Sequence, residues 1–134
     1  MLNVHAFVFN PFQENTYLVY DELGNCAIFD PGMSNADEEA ELVAFIKDHN
    51  LKLNALYITH GHIDHVLGNR FIFDQYGLTP QMHEGEVPVL VAVSTYAPMR
   101  GMRYDESPIP ETFLQEGELI SIGEHSLTII LAPV

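Results

Sequence analysis

The sequence predicts an α/β fold in which a mixed β-sheet carries helices on one face. Three observations point there. The short apolar runs Cys26-Ala27-Ile28-Phe29 and Leu53-Asn54-Ala55-Leu56-Tyr57-Ile58 flank a stretch of helical periodicity, the pattern of a strand, a crossover helix and a parallel strand. Ahead of them, two more strand-like segments follow each other through short turns, as antiparallel neighbours do. A dense group of ligand-type side chains, Thr59-His60-Gly61-His62-Ile63-Asp64-His65, comes directly after the second run. That is the carboxyl end of a strand, where sheets of this kind place their chemistry.

Residues 2–9 read as the first strand, with Leu2, Val4, Ala6 and Val8 on one face. Asn10-Pro11 marks a turn, residues 15–21 a second strand, and Asp21-Glu22-Leu23-Gly24-Asn25 a hairpin loop. The third strand, 26–29, is apolar on both faces and so expects burial on both. Asp30-Pro31-Gly32 ends it. Ser34 or Asn35 caps the next helix, with Asp37 and Glu38 three residues on. That helix runs to about Asn50, and its buried stripe is Ala36, Ala40, Val43 and Ile46 with Leu42 and Phe45. After the strand 53–58 and the His-rich loop, one helix is expected from Asp64 to Tyr76, with Val66, Leu67, Phe71 and Ile72 inward and Gly77 as its cap. A short strand at 79–83 and a helix from about Glu84 to Ser94 follow, with Pro88 in the helix's first turn. Residues 95–111 read as a long loop bordering the substrate, in which Arg100, Arg103 and Tyr104 could meet an anionic group. Residues 112–132 return to strands, with turns at Gly117 and Gly123.

Composition sets the outer bounds. The chain has 134 residues, which predicts a single domain, 1–134, and 47% hydrophobic residues, enough for a core. Nineteen acids against five bases give a net charge of −14, which repels phosphate backbones and argues against a nucleic-acid partner. No apolar run is long enough to span a membrane, and the N-terminus has no basic, then apolar, leader. The lone Cys26 sits in a strand-like run and reads as a buried, inert thiol. These features together predict a cytoplasmic protein without a membrane partner.

The His-rich loop carries the chemistry. Three imidazoles and a carboxylate suit zinc, with iron or manganese possible in the same site. His60 and His62 sit two apart, so in an extended segment they point to the same side. Asp64 and His65 follow where the chain must turn. The loop can therefore offer one pair to a first metal and another to a second. Of the remaining histidines, His83, at a strand end, is the best spare ligand. His5, His49 and His125 read as surface residues.

The stretch from Thr59 to His65 resembles the His-x-His-x-Asp-His signature of the metallo-β-lactamase superfamily. Ile28-Phe29-Asp30-Pro31-Gly32 resembles that superfamily's first motif, and Asn10-Pro11-Phe12-Gln13-Glu14-Asn15-Thr16-Tyr17 resembles the opening of its small glyoxalase II-like hydrolases. The resemblance implies an αββα sandwich with metals at one edge. It also implies that His60 and His62 bind one metal, that Asp64 and His65 bind another, and that Asp30 supports the loop through hydrogen bonds. The family takes a third His, a bridging Asp and a last His from later motifs. The chain ends at Val134, where the first of these would begin, so the expectation is an N-terminal portion of the domain.

For the whole protein the resemblance implies a metal-dependent hydrolase, a thioesterase in the glyoxalase II manner, in which a hydroxide generated on the metal attacks the acyl carbon of a small (thio)ester and Asp64 also orients it. Relatives with a single iron oxidise glutathione persulfide, a second enzymatic reading. The third is a non-catalytic half-domain, lacking the later ligands, that binds metal weakly or pairs with a second chain, two copies covering each other's sheets as a homodimer.

Overall fold

The computed structural model describes residues 2–101 and 104–128. Six strands form one sheet in sequence order: β1 (Asn3–Phe9), β2 (Glu14–Tyr20), β3 (Asn25–Phe29), β4 (Lys52–Tyr57), β5 (Pro80–His83) and β6 (Phe113–Leu114). β1, β2 and β3 pair antiparallel, while β3 to β6 run parallel, so the sheet is mixed as expected. The switch falls at β3, where the chain leaves the sheet through helix α1 (Ala36–Asp48) and returns as β4. Two short helices, α2 (Ile63–Val66) and α3 (Asn69–Tyr76), link β4 to β5, and α4 (Val87–Tyr96) follows β5. A hairpin of β7 (Leu119–Ile122) and β8 (His125–Thr128) forms a second, two-stranded sheet.

The sheet separates two apolar clusters. Leu18, Ile28 and Leu56 face the helices and meet Leu42, Val66, Ile72 and Val93. Val19, Ala27 and Tyr57 face the other way and meet Ile120 and Ile122 of the hairpin, with Leu114. Consecutive residues of β2 and β3 thus fill two different layers, which is why β3 is apolar on both faces. The face away from the helices is covered in part by β7 and β8. In β1 it is Phe7 and Phe9 that are buried, on the α1 side, whereas Val4 and Val8 stay exposed on the other face of the edge strand.

Helix α1 starts as its sequence directs. Asn35 Oδ1 accepts from Glu38 N, and Glu38 Oε1 accepts from Ser34 N and Oγ, a reciprocal cap. Its buried stripe is narrower than periodicity alone implied: Leu42 and Ile46 are buried, while Ala36 and Ala40 face water. The single helix expected over 64–76 is broken at Leu67-Gly68. Gly68 N donates to Pro31 O at 2.7 Å, and a Cβ on Gly68 would stand 2.7 Å from Met33 Cε, so the Asp30-Pro31-Gly32 turn presses on the helix backbone there. The strand end at 129–132 and Arg103 lie outside the described residues. Among the described residues no helix is long and apolar enough to cross a membrane.

Candidate metal centre

The loop after β4 is fixed by its backbone, and its ligand-type side chains stand between the fixed points. Thr59 N donates to Asp30 Oδ1 at 2.7 Å, Gly61 N to Glu86 Oε1 at 2.7 Å, and Ile63 N to Tyr96 Oη at 3.0 Å. These acceptors come from the end of β3, the turn before α4, and the last residue of α4. Asp64 O accepts from Asn10 Nδ2 at 3.0 Å. Held this way, the rings of His60 and His62 lie 6.1 Å apart and those of His60 and His65 5.3 Å apart. His62 is exposed, and His60, Asp64 and His65 are half-buried, so the cluster opens to solvent.

The hydrogen-bond inventory fixes which ring nitrogen of His60 is free. Thr59 Oγ1 donates its only proton to Asp30 Oδ2 at 2.5 Å. Toward His60 Nδ1, 3.0 Å away, it can then only accept. Nδ1 carries the proton, and Nε2 is left with its lone pair unshared, the arrangement that a metal-ligating histidine would need.

His65 has two sides. Nε2 faces Asp64 Oδ2 at 3.4 Å. Two ligand atoms about 2.1 Å from one ion at the tetrahedral angle are about 3.4 Å apart, so this pair has the spacing of a shared cation. Nδ1 faces Asp30 Oδ2 at 3.2 Å and Glu14 Oε1 at 3.5 Å, out of line for a full hydrogen bond. Burial alone would lower the His65 pKa. The Asp30 carboxyl beside it, with Asp64 and Glu86, outweighs burial and holds it above its usual value.

Glu14, Asp30 and His65 are, among the described residues, the three ligand-type groups whose donor atoms gather within 4.8 Å of one another. Both Glu14 Oε1 and His65 Nδ1 are buried without a hydrogen-bond partner. Within this triad Asp30 also accepts from both Thr59 N and Thr59 Oγ1, so it ties the triad to the start of the His-rich loop. Glu14 is 6% exposed, and burial pushes its carboxyl up to about 9, helped by Asp30 and Asp64 against the Thr16 hydroxyl, which pulls the other way. Thr16 explains the proton. Its Oγ1 accepts from Gly32 N at 3.0 Å and lies 2.9 Å from the carbonyl of Asp30 and 3.0 Å from Glu14 Oε2. One hydroxyl proton cannot serve two acceptors, so all three contacts are satisfied when Glu14 holds a proton of its own.

The structure places His60, His62, Asp64 and His65 along one loop, with Asp64 and His65 paired at 3.4 Å and the His60 ring 6.1 Å from His62 and 5.3 Å from His65, and leaves the other histidines elsewhere. His83 Nδ1 accepts from Gly85 N at 3.0 Å and so caps the turn before α4. His5 and His49 stack on Phe45, and His125 stands 3.6 Å from Glu22. Tyr104 packs against the main core and its hydroxyl accepts from Ser107 N, so it is a structural residue of the loop expected to border a substrate. Sequence reasoning missed Glu86 and Tyr96, whose only signal was a position one strand further along. It quoted Asn10 and Glu14 within a motif but gave them no role.

The chain has relatives over most of its length. The family model described as the metallo-beta-lactamase superfamily matches residues 9–134. The hydroxyacylglutathione hydrolase GloC of Haemophilus influenzae is 28% identical over 134 residues, 98% of this chain and 61% of that protein. The probable metallo-hydrolase YqgX of Bacillus subtilis is 27% identical over 125 residues, 92% of this chain and 56% of that protein. The chain therefore spans about 60% of the length of these curated relatives. Among solved structures, TTHA1623 in a di-iron-bound form superposes with a TM-score of 0.75 at 28% identity, covering 89% of this chain and 57% of its own. The B3 metallo-beta-lactamase BLEG-1 superposes with a TM-score of 0.78 at 22% identity, covering 94% of this chain and 59% of its own. A mixed sheet with helices on one face, a His-x-His-x-Asp-His loop at the end of β4 and a family match over nearly the whole chain give one conclusion: the chain belongs to the metallo-beta-lactamase superfamily.

Proposed function

We propose that the protein carrying this chain is a metal-dependent hydrolase that cleaves small thioesters in the manner of glyoxalase II. His60 and His62 hold one metal, Asp64 and His65 a second. The observation that carries this reading is the 3.4 Å spacing of His65 Nε2 and Asp64 Oδ2 beside the paired rings of His60 and His62. The residues fit a divalent cation: the His60 ring is oriented from behind by Thr59, His65 Nδ1 has the Asp30 carboxylate 3.2 Å behind it, and the site is open to solvent on the His62 side. Bound there, zinc, iron or manganese supplies Lewis acidity and lowers the pKa of water to near neutrality.

The chain's own residues do the rest. Thr59 accepts from His60 Nδ1, which leaves Nε2 facing away as the nitrogen for the metal. Asp30 holds the backs of both His60, through Thr59, and His65. Asp64 serves as ligand and orients the attacking water, because its carboxylate is the acceptor next to His65 on the open side. The GloC relative is named for hydrolysis of a hydroxyacylglutathione, which supports a thioester as the substrate class.

The test is hydrolysis of an acyl-glutathione by the metal-loaded protein, followed by thiol release. Changing both His60 and His62 to Ala should abolish it. Activity that survives the double change would sink the assignment.

A further inference from the structure

The opening motif contributes a residue to the metal centre that its sequence does not advertise. Asn10 sits in the turn between β1 and β2 with φ +58, a left-handed conformation that asparagine tolerates better than most side chains. Its amide nitrogen has two protons and uses both on backbone carbonyls of two different loops: Gly32 O at 3.1 Å and Asp64 O at 3.0 Å. The rest of the residue is fixed as well. Oδ1 accepts from Phe12 N at 2.9 Å, the backbone N donates to Glu38 Oε2 at 2.8 Å, and the backbone O accepts from Gln13 N at 3.1 Å.

The bond to Asp64 replaces one that a continuous helix would have made. In an α-helix the N–H of Gly68 would donate to Asp64 O, four residues back. Here Gly68 N goes to Pro31 O at 2.7 Å, and the helix ends at Val66. Asp64 O is thereby released to Asn10. Gly32 leaves room for the exchange, since a Cβ there would stand 2.8 Å from both Asn10 Nδ2 and Asp64 O.

We infer that Asn10 is a positioning residue for the Asp64 and His65 half of the metal centre, holding the Asp64 backbone in the turn that aims its carboxylate beside His65 Nε2. The inference rests on the reading of Asp64 and His65 as ligands. It predicts a selective effect. Asn10 touches neither His60 nor His62, whose loop is held by Asp30 and Glu86.

Two variants of the whole protein test it. Asn10→Asp keeps the size of the side chain and the acceptor for Phe12 N, but sets an oxygen against two carbonyl oxygens. Asn10→Gly keeps the left-handed turn and removes the side chain. Each is stripped with chelator and titrated with cobalt(II), read by visible absorption and by competition with a chromogenic chelator. In both variants the first equivalent should bind as in the wild type, and the second about 10- to 100-fold more weakly. Asp64→Ala provides the reference and should remove the second equivalent. If the wild type binds two equivalents and loses one in Asp64→Ala, but the Asn10 variants bind both normally, the inference is overturned and the ligand reading stands. Equal weakening of both equivalents, in step with a lowered melting temperature, also overturns it, because that is the mark of a general structural role. If the wild type fails to bind, or Asp64→Ala changes nothing, the ligand reading falls and the inference with it.

Discussion

Oδ2 of Asp30 stands 3.2 Å from Nδ1 of His65, on the side of the ring away from Asp64. The same oxygen accepts the Thr59 hydroxyl, which in turn faces His60 Nδ1. One carboxylate therefore backs both of the proposed ligand pairs. Asp30→Ala should weaken metal binding at both by about 10- to 100-fold, the usual scale for losing a ligand's supporting group. It should also cost about 1–3 kcal/mol, because Thr59 N loses its acceptor. Competition against a chromogenic chelator and urea unfolding measure the two effects. Unchanged affinity for either metal would contradict this arrangement.

The pH dependence of the metal-free protein follows from Glu14 and His65. The Glu14 carboxyl stands at about 9 in the fold against an ordinary 4.5, so the native state holds its proton more tightly than the unfolded chain. The stability this gives is complete below about pH 4.5 and is lost as pH rises toward 9. His65, raised above its ordinary 6.5, acts in the same direction. The melting temperature of chelator-treated protein should therefore fall between pH 5 and pH 9. Glu14→Gln, which cannot ionise, should flatten the slope. A wild-type melting temperature that rises across this range would contradict the protonated Glu14.

Gly61 lies against the backbone of the turn before α4. A Cβ there would stand 2.7 Å from Glu86 O and 2.9 Å from Leu90 N, neither of which can move aside cheaply. Gly61→Ala should destabilise the fold by about 1–3 kcal/mol, as overpacking does, and displace His60 and His62. Gly77→Ala is the contrast. That site has φ +72 and open space around it, so only the left-handed backbone penalty of about 1–2 kcal/mol applies and metal binding is untouched. Denaturant unfolding and metal titration of the pair would separate the two causes.

Cys26 is 1% exposed, and burial pushes its thiol up to about 12. A thiolate is the reactive form, so a disulfide reagent at pH 8 should leave the native protein unmodified and titrate one thiol per chain in urea. Rapid labelling of the folded protein would mean that β3 opens.

Most of the fold could be read from residue order because its signals are local. The crossover between β3 and β4 showed in two apolar runs around an amphipathic stretch, and the start of α1 showed in Asn35 and Glu38. The His-rich loop stood out for the same reason: His60, His62, Asp64 and His65 lie within six residues. What could not be read depends on distant partners. The break between α2 and α3 comes from Pro31 and Met33 pressing on Gly68, and periodicity over 64–76 carries no trace of them. The exposed Val4 and Val8 have no partner in the cluster behind the sheet, although their alternation within β1 reads like that of any strand with a buried face. Glu86 and Tyr96 reach the loop from 25 and 33 residues away. Their side chains look like ordinary helix-surface residues until the chain is folded.

These separations also bear on the order of assembly. The bonds that fix the ligand loop span 29 positions from Asp30, 25 from Glu86, 33 from Tyr96 and 54 from Asn10. Closing such loops has an entropic cost that only later contacts offset, so they form after the local hairpins and helices. The geometry of the His-rich loop is therefore completed at the end of folding, after the strands on either side have docked. A cation that binds the completed loop acts as a late lock: it slows unfolding while leaving the rate at which the β1–β2 hairpin and α1 first form unchanged.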